Sequence, residues 1–142
     1  MRLATLADLP AIGKGLAKLQ TVADNYGFVN STNLTKATLA LINEIRLGNG
    51  YIVGDYLVMV AEVTPWYSDD KVLQEWFTMK LKFKAEGRNL LAGALILIAL
   101  KRSCTHIMTA DSSGGPMAKQ WANSGFTPLT QSFYQRVSHG IH

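Results

Sequence analysis

Between Met79 and Leu91 the chain reads Met-Lys-Leu-Lys-Phe-Lys-Ala-Glu-Gly-Arg-Asn-Leu-Leu, a strand-like tract that passes through one glycine into the most apolar helix candidate of the sequence. The tract predicts a strand, a tight turn and a helix start in immediate succession, with basic residues at the junction. A helix start leaves up to four backbone N–H groups without partners and carries about half a positive charge from its dipole. It can therefore cradle a phosphate or pyrophosphate, which makes this junction the first candidate for a cofactor site. Lys80, Lys82, Lys84 and Arg88 concentrate positive charge there, opposed by Glu86 alone. The same residues would equally make a solvated strand end, and both readings stand at this level.

A chain of 142 residues with 48% hydrophobic content is most simply one domain spanning positions 1–142. The apolar run Leu90 to Leu100 is about half of the roughly 20 residues needed to cross a bilayer and ends at Lys101-Arg102. It reads as a core helix, and no membrane role is expected. Asp8 and Pro10 near the start argue against a secretory signal, so a cytoplasmic location is expected. The single cysteine, Cys104, has no internal partner and is expected as a buried, inert thiol. His106, His139 and His142 lack ligand spacing with cysteine or carboxylate, and no structural metal is expected. A net charge of +4 and a pI near 9.3 suit an anionic ligand.

Along the chain, Asp8 is expected to cap a helix whose apolar positions Leu9, Ile12, Leu16 and Leu19 follow helical spacing, with Pro10 in its first turn. A second helix begins near Ser31 to Asn33, carries the stripe Leu34, Thr38, Leu41 and Ile45, and stops at Gly48. Between them, Tyr26 and Phe28 either flank a substrate opening or pin the loop. The periodicity then changes to strands: Tyr51 to Val53, a Gly54-Asp55 turn, Leu57 to Thr64, a break, and Val72 to about Lys82. This is an antiparallel meander. A helix from Gly87 to Arg102 follows, apolar almost all round and hence expected to be covered on most sides. A strand at His106 to Ala110, a helix ending near Ser124, and two strand pieces between Phe126 and Val137 complete the order. The expected class is α/β, with a mixed sheet and helices on both faces.

This order and three local segments resemble the GNAT-type N-acetyltransferases over nearly the whole chain. The opening Met1 to Pro10 is similar to the family's first strand and helix start. Lys84-Ala85-Glu86-Gly87-Arg88-Asn89 sits where the family places R/Q-x-x-G-x-G/A between its fourth strand and the next helix, departing from it at Lys84 and Asn89. Ala118 to Phe126 is similar to the family's late helix, with Trp121 where many members have a tyrosine that protonates the departing thiolate. An indole cannot take that role. The tract Val60 to Asp70, with Leu73 to Phe77 beyond it, resembles small phage-encoded members.

The resemblance implies a GNAT-like, mostly antiparallel central sheet, acetyl-CoA as cosubstrate, and transfer of its acetyl group to a primary amine. It places the cofactor against Lys84, Glu86, Gly87, Arg88, Asn89 and Leu90, with the backbone near Phe77 and Met79 receiving the thioester and the pantetheine arm. Either Tyr134 or water stands in for the missing acid, or the enzyme dispenses with it. In a regular strand Glu75 lies on one side with Leu73, Phe77 and Met79, while Gln74, Trp76 and Thr78 face the other way. A carboxylate partly withdrawn from water among such neighbours suits proton acceptance from an amine, so Glu75 is the first candidate base. Glu62 on the preceding strand competes. Either glutamate alone could instead form an ion pair.

The acceptor stays open among small molecules, protein amines and modified nucleobases, and a homodimer is open as well. Two other functions compete with the enzyme. One is a non-catalytic GNAT-fold binding or structural protein, virion-associated if phage-encoded, favoured by Trp121 and Asn89. The other is a nucleic-acid-binding module using the Lys80 to Arg88 stripe, which is not expected as the principal activity.

Overall fold

The computed structural model describes residues 1–23, 33–109 and 116–129. Its elements run in the order β1 (Arg2–Leu3), a 3-10 turn (Leu6–Asp8), α1 (Leu9–Ala23), α2 (Leu34–Arg46), β2 (Gly50–Val53), β3 (Tyr56–Val63) and β4 (Val72–Lys80). A second 3-10 turn (Arg88–Leu90), α3 (Leu91–Lys101), β5 (His106–Met108) and α4 (Pro116–Asn123) follow. The five strands form one sheet in sequence order, antiparallel from β1 to β4 and parallel between β4 and β5. The expected meander and mixed sheet are both present.

Alternation along the strands sends side chains into two cores, because successive Cβ atoms leave opposite faces. Ile52, Leu57, Met59 and Met79 join Ile12 and Leu16 of α1 and Leu41 and Ile45 of α2. On the other face Val53, Tyr56, Val58, Val60 and Leu73 meet Leu91, Leu95 and Ile98 of α3 and Trp121 of α4. Helices thus cover both faces. Each fully buried aliphatic side chain contributes about 1.5–3 kcal/mol through apolar area removed from water, which is why the stripes at 12, 16, 41 and 45 dictate where the helices dock.

Local chemistry refines four expectations. Thr5, not Asp8, is the cap of the first turn: its hydroxyl accepts from Ala7 N, and Asp8 at the third position accepts from Thr5 N at 2.8 Å. Both residue types can cap, and the reciprocal box uses them together. Asn33 caps α2 through a 3.0 Å bond from Lys36 N. The helix after Gly87 begins as a 3-10 turn and becomes α-helical only at Leu91. Contrary to expectation, α3 is covered on one side alone: Ile96, Leu97 and Leu100 remain 45–68% exposed on the side away from the sheet. A helix apolar all round carries no period from which its buried side can be read.

Residues 126–129 form no strand, and the rest of the expected final strand pair lies outside the described residues. Cys104 is half-buried after α3, and loss of hydration pushes its thiol above the usual range, with Glu62 adding to the effect. It stays protonated near neutrality. No helix among the described residues is long and apolar enough to cross a membrane.

Candidate functional site

Three pieces of backbone build the site. The first is the far half of β4. Its parallel pairing with β5 covers only Val72, Leu73 and Gln74, opposite His106, Ile107 and Met108. β4 continues to Lys80, so from Glu75 onward its β5-facing edge has no strand beside it among the described residues. An open strand edge presents unpaired N–H and C=O groups to an extended ligand.

At that point β4 also carries a bulge. Val60 pairs with Glu75 and Met59 with Phe77, which leaves Trp76 as the extra residue. The alternation therefore slips by one. Glu75 and Leu73 share the α3 face with Val60, whereas Phe77 and Met79 share the α1/α2 face with Met59 and Leu57. The expectation that Glu75 lies with Phe77 and Met79 is corrected, because parity along a strand holds only while each residue has one partner. Thr78, opposite Val58, falls on the same face as Glu75 and donates its hydroxyl to Oε1 at 2.7 Å. Trp76 and Phe77, although adjacent, stack at 28° with centroids 6.2 Å apart.

The second piece is the junction after β4. Lys84 and Gly87 take left-handed backbone, φ 53° and 103°. The loop is held by the β2–β3 hairpin: Asp55 N–H donates to the Glu86 carbonyl at 2.9 Å, Glu86 N–H donates to Asp55 Oδ2 at 2.9 Å, and Leu81 N–H donates to the Asp55 carbonyl at 2.9 Å. Lys82 lies 3.5 Å from the same carboxylate. A Cβ on Gly87 would stand 3.0 Å from the Gly54 Cα, and one on Gly54 would stand 2.6 Å from the Glu86 oxygen. Glycine at 87 is thus required by its φ and by backbone packing against the hairpin.

Of the five nitrogens from Glu86 to Leu90, Glu86 is taken by Asp55, and Leu90 donates to the Gly87 carbonyl at 2.9 Å. Those of Gly87, Arg88 and Asn89 have no acceptor among the described residues. Three donors in succession at a helix start, beside exposed Lys80, Lys82 and Lys84, fit an anionic group.

The third piece is α4. Gln120 Nε2 donates to the Arg88 carbonyl at 3.0 Å, joining α4 to the junction. Trp121 is buried in the α3-face core and packs on Phe126 at 5.3 Å between centroids. Its indole N–H is buried without a partner among the described residues.

The remaining candidates separate clearly. Glu75 is 7% exposed, whereas Glu62 is exposed near the far end of β3, 3.0 Å from Lys71 and 3.8 Å from Arg102. Glu62 is thus held in an ion-pair network. Tyr134, like Tyr26, Phe28, His139 and His142, lies outside the described residues. Asp55, Thr78 and Gln120 escaped the sequence reading. Each acts through a partner that local sequence does not indicate, 31 residues away for Asp55 and 32 for Gln120.

This arrangement is the fold of the GNAT acetyltransferases. A GNAT family acetyltransferase of Staphylococcus aureus has a similar structure with a TM-score of 0.58 and 14% identity, covering 96% of each chain. An acetyltransferase of Trypanosoma brucei gives 0.60 and 16%, covering 96% of this chain and 97% of that one. At such identities the likeness is one of fold. No family model and no curated protein matches the sequence.

Proposed function

We propose that this chain is an acetyl-CoA-dependent N-acetyltransferase acting on a primary amine. One observation carries the reading: the strand edge open beyond Gln74 and the three N–H groups of Gly87, Arg88 and Asn89, without a partner among the described residues, belong to one continuous segment. A ligand with an extended arm and a diphosphate finds complementary donors along it. The fold of the neighbours, whose names describe acetyl transfer, supports the same reading.

Acetyl-CoA supplies an acyl group activated as a thioester. The chain's own residues do the rest. Gly87, Arg88 and Asn89 amides and the nearby lysines hold the diphosphate, while Lys84, Glu86 and Leu90 shape the turn. Main-chain groups of Phe77 and Met79 on the open edge orient the arm and polarise the acyl carbonyl. Glu75, fixed by Thr78 on the α3 face, accepts through water the proton that the attacking amine must lose. Tyr134 or solvent returns a proton to the departing sulfur, since the Trp121 indole has none to give at neutral pH.

Thermal shift with acetyl-CoA tests the reading. A ligand at a hundred times its dissociation constant stabilises by about 2.7 kcal/mol, a shift of several degrees for a domain of this size. Absence of any shift at millimolar acetyl-CoA overturns it.

A further inference from the structure

Between α1, α2 and the bulge of β4 lies a cavity of about 270 Å³. Leu16 and Leu19 of α1, Leu34 and Ala37 of α2, and Trp76 and Phe77 of β4 line it, together with further apolar residues of α2. No charged side chain takes part among the described residues. Its existence follows from the bulge: the extra residue turns two successive aromatic rings to the same face, so Phe77 stands beside Trp76 where a regular strand continuing from Glu75 would send it to the α3 face.

Phe77 belongs to two places at once. Its ring lines the cavity, and its main chain lies on the stretch of β4 that β5 leaves open. Through Phe77 the cavity adjoins the edge assigned above to the acyl donor, on the face opposite Glu75, so a proton lost there reaches that carboxylate by way of water. We propose that the cavity holds the apolar body of the acceptor, and that the acceptor is a primary amine carrying one aromatic ring or an alkyl chain of similar size. The identification of the occupant as an amine rests on the acetyltransferase reading; its apolar character and its size rest on the cavity alone.

Size sets one limit. An apolar cavity of about 150 Å³ takes up benzene, so 270 Å³ accommodates a ring with a short side chain. Chemistry sets the other. A second ammonium or a peptide backbone placed against these walls would lose part of its hydration and find no charged side chain in exchange among the described residues. The same walls favour the uncharged amine over the ammonium, which is the form that attacks a thioester. The described walls therefore disfavour polyamines and lysine-bearing peptides.

Calorimetric titration of the full chain with 2-phenylethylamine, hexylamine and spermidine, without acetyl-CoA, reads the cavity directly, and steady-state acetylation of the same amines reads the transfer. Phenylethylamine and hexylamine should bind at least tenfold more tightly than spermidine and show correspondingly lower KM. Ala37→Phe, which fills the cavity, should weaken phenylethylamine at least tenfold and leave the acetyl-CoA thermal shift in place. Leu34→Ala, which enlarges it, should move the preference toward two-ring amines, and this keeps the test valid should the larger side chain prevent folding. Equal or tighter binding of spermidine, or ring preference unmoved by both variants, overturns the proposal. Ring-dependent binding with no acetylation of any amine would overturn the transferase reading and leave the apolar-ligand cavity standing; acetylation confined to spermidine would do the reverse.

Discussion

The hydroxyl of Thr78 reaches Oε1 of Glu75 at 2.7 Å, across an interval of three residues on a single strand. A regular strand places residues three apart on opposite faces. The contact exists because Trp76 is accommodated as a bulge, and the same irregularity lies where β4 loses β5. One extra residue thus fixes a carboxylate, turns two rings toward a cavity and sits at the start of the open edge.

Glu75→Gln keeps the shape of the side chain and its bond to Thr78 but cannot accept a proton. Acetylation at neutral pH should fall by about 10²–10⁴-fold, the usual contribution of a positioned base, with the acetyl-CoA thermal shift preserved. Glu62→Gln should change the rate little and stability by less than about 1 kcal/mol, as expected of a surface ion pair. Loss of activity in the Glu62 variant with full activity in the Glu75 variant would move the base to β3.

At the junction, folding and ligand binding can be separated. Gly87→Ala puts a Cβ 3.0 Å from Gly54 Cα at φ 103°, so urea unfolding should show a loss of about 1–3 kcal/mol. Asn89→Asp, at an exposed position in the first helical turn, should leave stability unchanged or raise it by about 0.3–1 kcal/mol through the helix dipole. The same variant sets a negative charge beside the N–H groups assigned to the diphosphate, and acetyl-CoA should bind about tenfold more weakly, a coupling of about 1.4 kcal/mol. Unaltered acetyl-CoA affinity in Asn89→Asp would remove the diphosphate from this turn.

What could be read without coordinates was whatever a short stretch of chain encodes by itself. Leu9, Ile12, Leu16 and Leu19 mark α1, Leu34, Leu41 and Ile45 mark α2, and Gly54-Asp55 marks a hairpin, because each signal is local period or local turn chemistry. Gly87 announced the junction, and its close packing against Gly54, which also demands glycine, could not be read from the sequence. The facing of Glu75 was illegible, since a bulge is a property of the pairing between β3 and β4. The cavity was illegible for the same reason. Trp121 proves to be a packing aromatic, its ring tilted at 52° to that of Phe126.

Arg102 supplies a stability test remote from the site. Its guanidinium donates to the Gly48 carbonyl at 2.7 Å, to Asn49 Oδ1 at 3.0 Å and to the Tyr51 hydroxyl at 2.9 Å, tying the end of α3 to the turn between α2 and β2. A lysine cannot span three acceptors in one plane. Arg102→Lys should therefore destabilise by about 1.5–3 kcal/mol, the range of a hydrogen bond to a charged group, measured by urea unfolding. A change below about 0.5 kcal/mol would show that the fork contributes nothing beyond a surface charge.

Acid should loosen the N-terminal end first. Asp8 accepts two bonds from the Arg2 guanidinium, at 2.6 and 2.9 Å, and one from Thr5 N at 2.8 Å. The Arg2 bond, aided by the Thr5 amide, holds the carboxyl below the usual carboxylate range, against the opposing effect of partial burial. A carboxyl whose folded value lies below its unfolded one binds protons more readily when unfolded, so its stabilising contribution is complete above the ordinary range near pH 4 and is lost as pH falls through the folded value. Asp8→Ala should cost about 0.3–1.5 kcal/mol at pH 7 through loss of the reciprocal half of the capping box, and the gap between variant and wild type should close as urea unfolding is repeated down to pH 2. Arg2→Gln should reproduce the charge-dependent part of that gap at pH 7 while leaving the Thr5 bond intact. A gap that stays constant across the whole pH range would mean that the carboxylate form of Asp8 contributes nothing.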